Sequence, residues 1–261
     1  MTGFIFPTKP KIIKETEKEG VFEIENLYTG YGLTLGNALR RVLLSSLKGS
    51  AITSVKIKGV PHEFSVIDGV LEDVIQIILN LKKIRVKTYT PGPHTLTLSV
   101  KGEREVKASD IQKNSNVEII TPDVHIATLT DKKSELEMVL TVEEGLGYSP
   151  AETRQKEKLP IGTISLDVAF SPVRKVNYEV ENMRVGERTD YNRLRLYIET
   201  DGTITPSAAL KQAAEILQEH FKIVADLPVP EQKEVKEEEE EKKTEKKKAK
   251  SKEEKTKKSK K

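Results

Sequence analysis

Gly30-Tyr31-Gly32-Leu33-Thr34-Leu35-Gly36-Asn37-Ala38-Leu39-Arg40-Arg41-Val42-Leu43-Leu44-Ser45-Ser46 reads as a glycine-bearing turn that opens into a helix. Thr34 is placed to act as N-cap, and Gly49 follows the last apolar residue as a stop. At 100° per residue, Leu35, Leu39, Val42, Leu43 and Ser46 gather on one face. Asn37, Arg41, Leu44 and Lys48 form a second stripe on the opposite side. A helix packed on one side only carries polar groups alone on its outer face. Leu44 between Arg41 and Lys48 therefore predicts a helix touched from two directions. One face serves the core or a twin chain, and the other a different partner.

Upstream, Val21 to Glu25 alternates as a half-buried strand. Downstream, Ile52, Val55 and Ile57 predict a strand. Val70 to Lys82 places Leu71, Val74, Ile75, Ile78 and Leu81 at helical spacing. Residues 95–100, 117–120 and 136–142 alternate again between Pro and Gly punctuation, so residues ~50 to ~155 read as a β-rich module with one helix. The polar run 151–158 reads as a loop. Three alternating runs, 164–170, 176–180 and 194–198, predict one antiparallel sheet with a wet face. A last helix starts at Thr205 with Pro206 in its first position and stops before Pro228. Leu210, Ala213, Leu217, Phe221 and Val224 lie on its apolar side.

The chain has 261 residues and no Cys, which excludes disulfides and thiolate metal sites. Residues 231–261 contain 14 Lys and 10 Glu, so the remainder carries about −1 of the net +3. A near-neutral body argues against a broad nucleic-acid surface. The Lys/Glu tail has no apolar face to bury and is expected to be disordered. No apolar run approaches the ~20 residues of a membrane span, and the N-terminal apolar patch is too short for a signal peptide. A cytoplasmic protein is expected.

The Gly30-to-Arg41 run resembles the signature of the bacterial RNA polymerase alpha subunit family. His62-Glu63, Glu72-Asp73, Leu79 to Lys82, Gly145 to Tyr148, Ser171 to Val173, Arg188 to Asp190 and Gly202 to Ile204 are similar to further runs of that family. The resemblance implies an α+β fold of two nested domains. Residues 1–49 and 156–229 would build a dimerisation domain from an antiparallel sheet and two long helices. Residues 50–155 would form an inserted β-rich domain, and 230–261 the tail. It further implies a homodimer that scaffolds the beta and beta-prime subunits of a nucleotidyltransferase. Contacts to beta fall at Arg41 and Leu44, with Asn37 and Lys48 on the same stripe. Contacts to beta-prime fall at Lys82 and Leu166. The dimer would be carried by Leu35, Leu39, Val42 and Leu43 with Leu210, Ala213, Leu217 and Phe221. No catalytic group, cofactor or metal is expected on this chain, magnesium belonging to the catalytic subunits. The family continues into a C-terminal DNA-binding domain. The Lys/Glu tail cannot pack such a domain, so DNA contact is expected to be weak and non-specific at most.

Other chemistries fit less well. The glycines are spaced GxGxxxG, which is neither the dinucleotide fingerprint nor a P-loop. His62, His94, His125 and His220 show no ligand spacing, and no Asp cluster suited to two magnesium ions is present. An independent enzyme using the glycine turn for a phosphorylated ligand, and a stand-alone dimeric adaptor, are the alternative readings.

Overall fold

The computed structural model describes residues 6–154, 160 and 162–227. Residues 228–261, with the Lys/Glu tail expected to be disordered, lie outside the described residues. Strand β1 (Lys11–Glu15) turns into β2 (Glu19–Leu27), which leads through Gly30 into α1 (Tyr31–Ser45) and then β3 (Lys48–Ile57). Helix α2 (Val74–Leu81) follows, and then strands β4 (Val86–Thr88), β5 (His94–Lys101), β6 (Arg104–Lys107), β7 (Val117–Ile119), β8 (His125–Leu129), β9 (Glu135–Leu146) and β10 (Tyr148–Ser149). A single helical turn, α3 (Ala151–Arg154), precedes β11 (Thr163–Ser165) and β12 (Val168–Ala169). The long hairpin β13 (Val173–Val185) and β14 (Arg188–Thr200) then leads to α4 (Pro206–Ala225).

The first and last parts of the chain share one antiparallel sheet in the order β1-β2-β14-β13. Alternation decides its two faces. Phe22, Ile24, Val176, Leu194, Leu196 and Ile198 point inward and form a core with Leu39 and Leu43 of α1 and Ala209, Leu210 and Ala213 of α4. The outer face is a grid of charges. Arg195 donates to Glu23 at 2.9 Å, Arg193 to Glu25 at 3.0 Å, and Lys11 also pairs with Glu25. Lys11 and Arg193 together hold the Glu25 carboxyl below the usual carboxylate range.

The intervening chain folds around a second core. Its main sheet runs β5-β9-β3-β4-β7, with β11 on β3, and β6-β8 and β10-β12 form two small ribbons. Val74, Ile77 and Leu81 of α2 are buried against this β framework together with Ile52, Val55, Leu98, Ile126 and Leu140.

Several expectations need correction. Thr34 is not the N-cap of α1, because the helix already starts at Tyr31 and Gly30 is the cap, with no side-chain cap bond. Gly49 does not end the helix; α1 stops at Ser45 and Gly49 lies within β3. Helix α2 starts at Val74, not Val70, because Asp73 caps it and Val70 bridges to Leu129. The run 164–170 does not join the sheet of β13 and β14. It divides into β11 on β3 and β12 on β10, and Ile164, Leu166, Val168 and Phe170 enter the second core. The passage between the cores therefore falls at Ser171 to Val173, not near residue 156. Ala151 to Arg154 is helical rather than loop, and residues 155–159 lie outside the described residues.

The chain separates into two compact units at Gln218 and Glu219, both cores lying in the first. The described part of the second is the end of α4 through Leu227, where Phe221, Ile223 and Val224 are exposed. Among the described residues, no helix is long and apolar enough to cross a membrane.

Candidate functional site

Helix α1 is seated by groups remote in sequence. Gly30 has φ 85°, a left-handed conformation that glycine adopts without a Cβ penalty. Its N–H donates to Asn192 Oδ1 at 2.8 Å. Just before it, Thr29 Oγ1 donates to Asp190 at 2.7 Å, and Arg188 donates to the same carboxylate through Nε at 3.0 Å and Nη2 at 2.7 Å. The Arg188 guanidinium lies over Tyr28 and Tyr191, at 5.2 and 5.3 Å from their ring centres. Arg188, followed by Thr29, holds the Asp190 carboxyl well below the usual range, and Asp190 raises the Arg188 guanidinium in return. Close approach completes the seat. A Cβ on Gly36 would meet Tyr178 Cδ2 at 2.7 Å, and one on Gly32 would meet Val180 Cγ1 at 2.7 Å.

With that face against the sheet, Asn37, Arg41 and Leu44 are exposed, Leu44 by 37%. Lys48 is exposed as well, but it begins β3 instead of continuing the helix. Arg40 is exposed beside Arg41, and neither forms an ion pair among the described residues. The stripe is thus a surface of uncommitted polar groups around one leucine.

The residues assigned to the dimer divide. Leu39, Leu43, Leu210 and Ala213 are buried in the chain's own core. Leu35, Val42 and Leu217 are partly buried at its margin, and Phe221 is exposed. Side chains consumed by the core have no area left for a second copy. Only the marginal and exposed members have surface to offer.

Lys82 and Leu166 are brought near one another, in different roles. Lys82 caps the C-terminus of α2, and its Nζ lies 3.6 Å from Asp167. Asp167 also accepts from Ala151 N at 2.9 Å, and that bond, with Lys82, holds its carboxyl below the usual range. Leu166 is only 2% exposed; its N–H donates to Thr53 and its carbonyl accepts from Arg154. The surface beside it is a cavity of ≈ 260 Å³, to whose lining Lys82, Arg85, Tyr148, Asp167, Val168 and Ala169 contribute. Tyr148, two-thirds exposed, opens β10 directly after Gly147, whose φ of 59° separates it from the end of β9. Arg85, Tyr148 and Asp167 were not singled out as site residues by sequence reasoning. The Gly-Leu-Gly-Tyr run is a visible signal for Tyr148 alone. Among the described residues, no group of three His, Asp or Glu side chains is arranged to hold a metal ion.

A family model described as the RNA polymerase Rpb3/RpoA insert domain matches residues 55–171. That span ends where the chain leaves the second core. The DNA-directed RNA polymerase subunit alpha of Oceanobacillus iheyensis is 49% identical over 223 residues, covering 84% of this chain and 71% of the relative. That of Symbiobacterium thermophilum is 49% identical over 223 residues, covering 84% and 70%. The chain belongs to the bacterial RNA polymerase alpha subunits. It acts as an alpha subunit in a multi-subunit enzyme of DNA-directed transcription.

Proposed function

We propose that this alpha subunit is a scaffold without a catalytic group of its own, working in the cytoplasm as a homodimer that gathers the beta and beta-prime subunits. The observation that carries this reading is α1 itself. Its inner face is consumed by the sheet, while Asn37, Arg41 and Leu44 stand outside with no side-chain hydrogen bond or ion pair among the described residues. Arginine is enriched among interface anchors, and a leucine ringed by polar groups suits a desolvated interface centre. The stripe, with Lys48, is assigned to beta. The Lys82 cavity is assigned to beta-prime, with Leu166 supporting it from beneath. The dimer is assigned to Leu35, Val42, Leu217 and Phe221. Magnesium and nucleotide chemistry then belong to the large subunits.

The test is stepwise assembly from purified subunits. Arg41→Ala should leave the dimer intact and weaken beta capture by roughly thirtyfold, the equivalent of ~2 kcal/mol for an interface anchor. Unchanged beta capture would refute the assignment of the stripe.

A further inference from the structure

The cavity beside Lys82 holds a cation that the chain itself leaves under-satisfied. Arg85 Nε is buried and has no hydrogen-bond partner among the described residues. Asp201 Oδ2 lies 4.0 Å from it, beyond hydrogen-bond reach, and the carboxylate is held by its other oxygen, Oδ1, which accepts from the Thr203 N–H at 2.9 Å and hydroxyl at 2.6 Å. Burial pushes the Arg85 guanidinium below its ordinary value against the pull of Asp201, and Arg174 adds repulsion. Beside it, Lys82 shares the exposed Asp167, which is already held by Ala151. One buried N–H without an acceptor leaves the quarter-exposed guanidinium under-satisfied, and a carboxylate is the acceptor that matches its fork.

The cavity's size narrows the occupant. At ≈ 260 Å³ it is smaller than the about 300–1,000 Å³ typical of small-molecule and cofactor sites. Ile52, Ile84 and Val168 supply apolar wall, and Tyr148 an aromatic rim. The nearby carboxylates of Asp167 and Asp201 oppose a phosphodiester chain with its repeated charge. One carboxyl-bearing side chain with an apolar neighbour satisfies both the charge and the wall. Resting on the assignment of this face to beta-prime, we propose that the cavity receives an aspartate or glutamate side chain of that subunit, bound by Arg85 and Lys82 and covered by Tyr148.

The experiment uses the full chain assembled with its own beta and beta-prime. A photo-crosslinking phenylalanine analogue replaces Tyr148, and the captured peptide is sequenced. In parallel, Arg85→Gln and Arg85→Lys are compared for beta-prime capture across a salt series, with thermal melts to confirm folding. We expect a beta-prime peptide containing Asp or Glu. We also expect about tenfold weaker capture for Arg85→Gln with a flatter salt dependence, and partial recovery for Arg85→Lys. A beta-prime peptide with no acidic residue, or undiminished capture by Arg85→Gln, would overturn the carboxylate proposal and leave the docking face standing. Crosslinking to beta or to a second alpha copy, with none to beta-prime, would overturn both. If Arg85→Gln does not fold, the crosslinked peptide decides alone.

Discussion

Helices α1 and α2 are started by opposite devices. Asp73 caps α2 from within its own turn, its carboxylate accepting the Gln76 N–H at 2.7 Å. α1 has no such cap. Its start is held from across the sheet, by Asn192 on Gly30 and by Asp190 with Arg188 on Thr29. The bodies of the two helices differ in the same sense. α2 buries Val74, Ile77 and Leu81, whereas α1 buries two glycines with Leu39 and Leu43, so it touches its sheet nearly backbone to side chain. A locally capped helix takes its start from its own residues. A remotely seated one takes its direction from the sheet, and so does the polar stripe on its back.

The largest expected effect breaks the two cores apart. Leu39→Asp puts an unpaired charge at a position 6% exposed, a change worth roughly 4 kcal/mol or more. Circular dichroism and calorimetry should then show the core of α1 and α4 lost while the β-rich core keeps its own transition. One shared loss of all signal would show that the two cores are a single cooperative unit. Next in size is Gly36→Ala. Its Cβ would come to 2.7 Å from Tyr178 and 3.0 Å from Leu194. Overpacking of this kind costs about 1–3 kcal/mol, of which better helix propensity returns about 1. The urea midpoint should fall; a rise would mean that the sheet yields and the close approach is not structural.

The same contrast explains what could be read in advance. The exposed positions of Asn37, Arg41 and Leu44 follow from helical period alone, and the inward residues of β2, β13 and β14 follow from alternation. The seat of α1 was invisible because Thr29 and Asp190 lie far apart in the chain, and pairing at that distance leaves no local pattern. Local pattern places a capping hydroxyl at Thr34, but Thr34 Oγ1 donates back to the Gly30 carbonyl at 3.3 Å. At α2 the apolar pattern is longer than the helix. Apolar spacing continues upstream through Leu71 and Val70, yet Val70 is spent on a bridge to Leu129 and the Leu71 N–H on Thr128. Alternation over 164–170 could not say which sheet the run would join. The same alternation places Leu166 on the dry face, and it is 2% exposed, at a position where the family resemblance implies a contact.

A pair of alanine substitutions sharpens the comparison of the two starts. Asp73→Ala should cost about 1 kcal/mol, the usual value of a lost N-cap. Thr34→Ala, in the first turns of α1, should cost only a few tenths, since its hydroxyl caps no orphan N–H. Urea titrations of both variants measure the difference. Equal losses would show that Thr34 contributes to the seat of α1 after all.

The smallest effect concerns the remote seat itself. The Asp190 carboxyl is depressed in the folded chain, so its contribution is present above the unfolded value of about 3.9 and fades as pH falls through the lower folded value. Asp190→Asn has no charge to lose. The stability gap between the unsubstituted chain and Asp190→Asn should therefore be constant from pH 7 down to about 5, then narrow as the solution becomes more acid. Because Arg188 and Asp190 are both about half exposed, the gap should be modest and should shrink with added salt at neutral pH. Urea midpoints taken at several pH values test this. A gap that stays unchanged below pH 4 would mean that the negative charge contributes nothing. The Thr29 hydrogen bond and the stacking of Arg188 on Tyr28 and Tyr191 would then hold the turn by themselves, and α1 would be seated by shape instead of by charge.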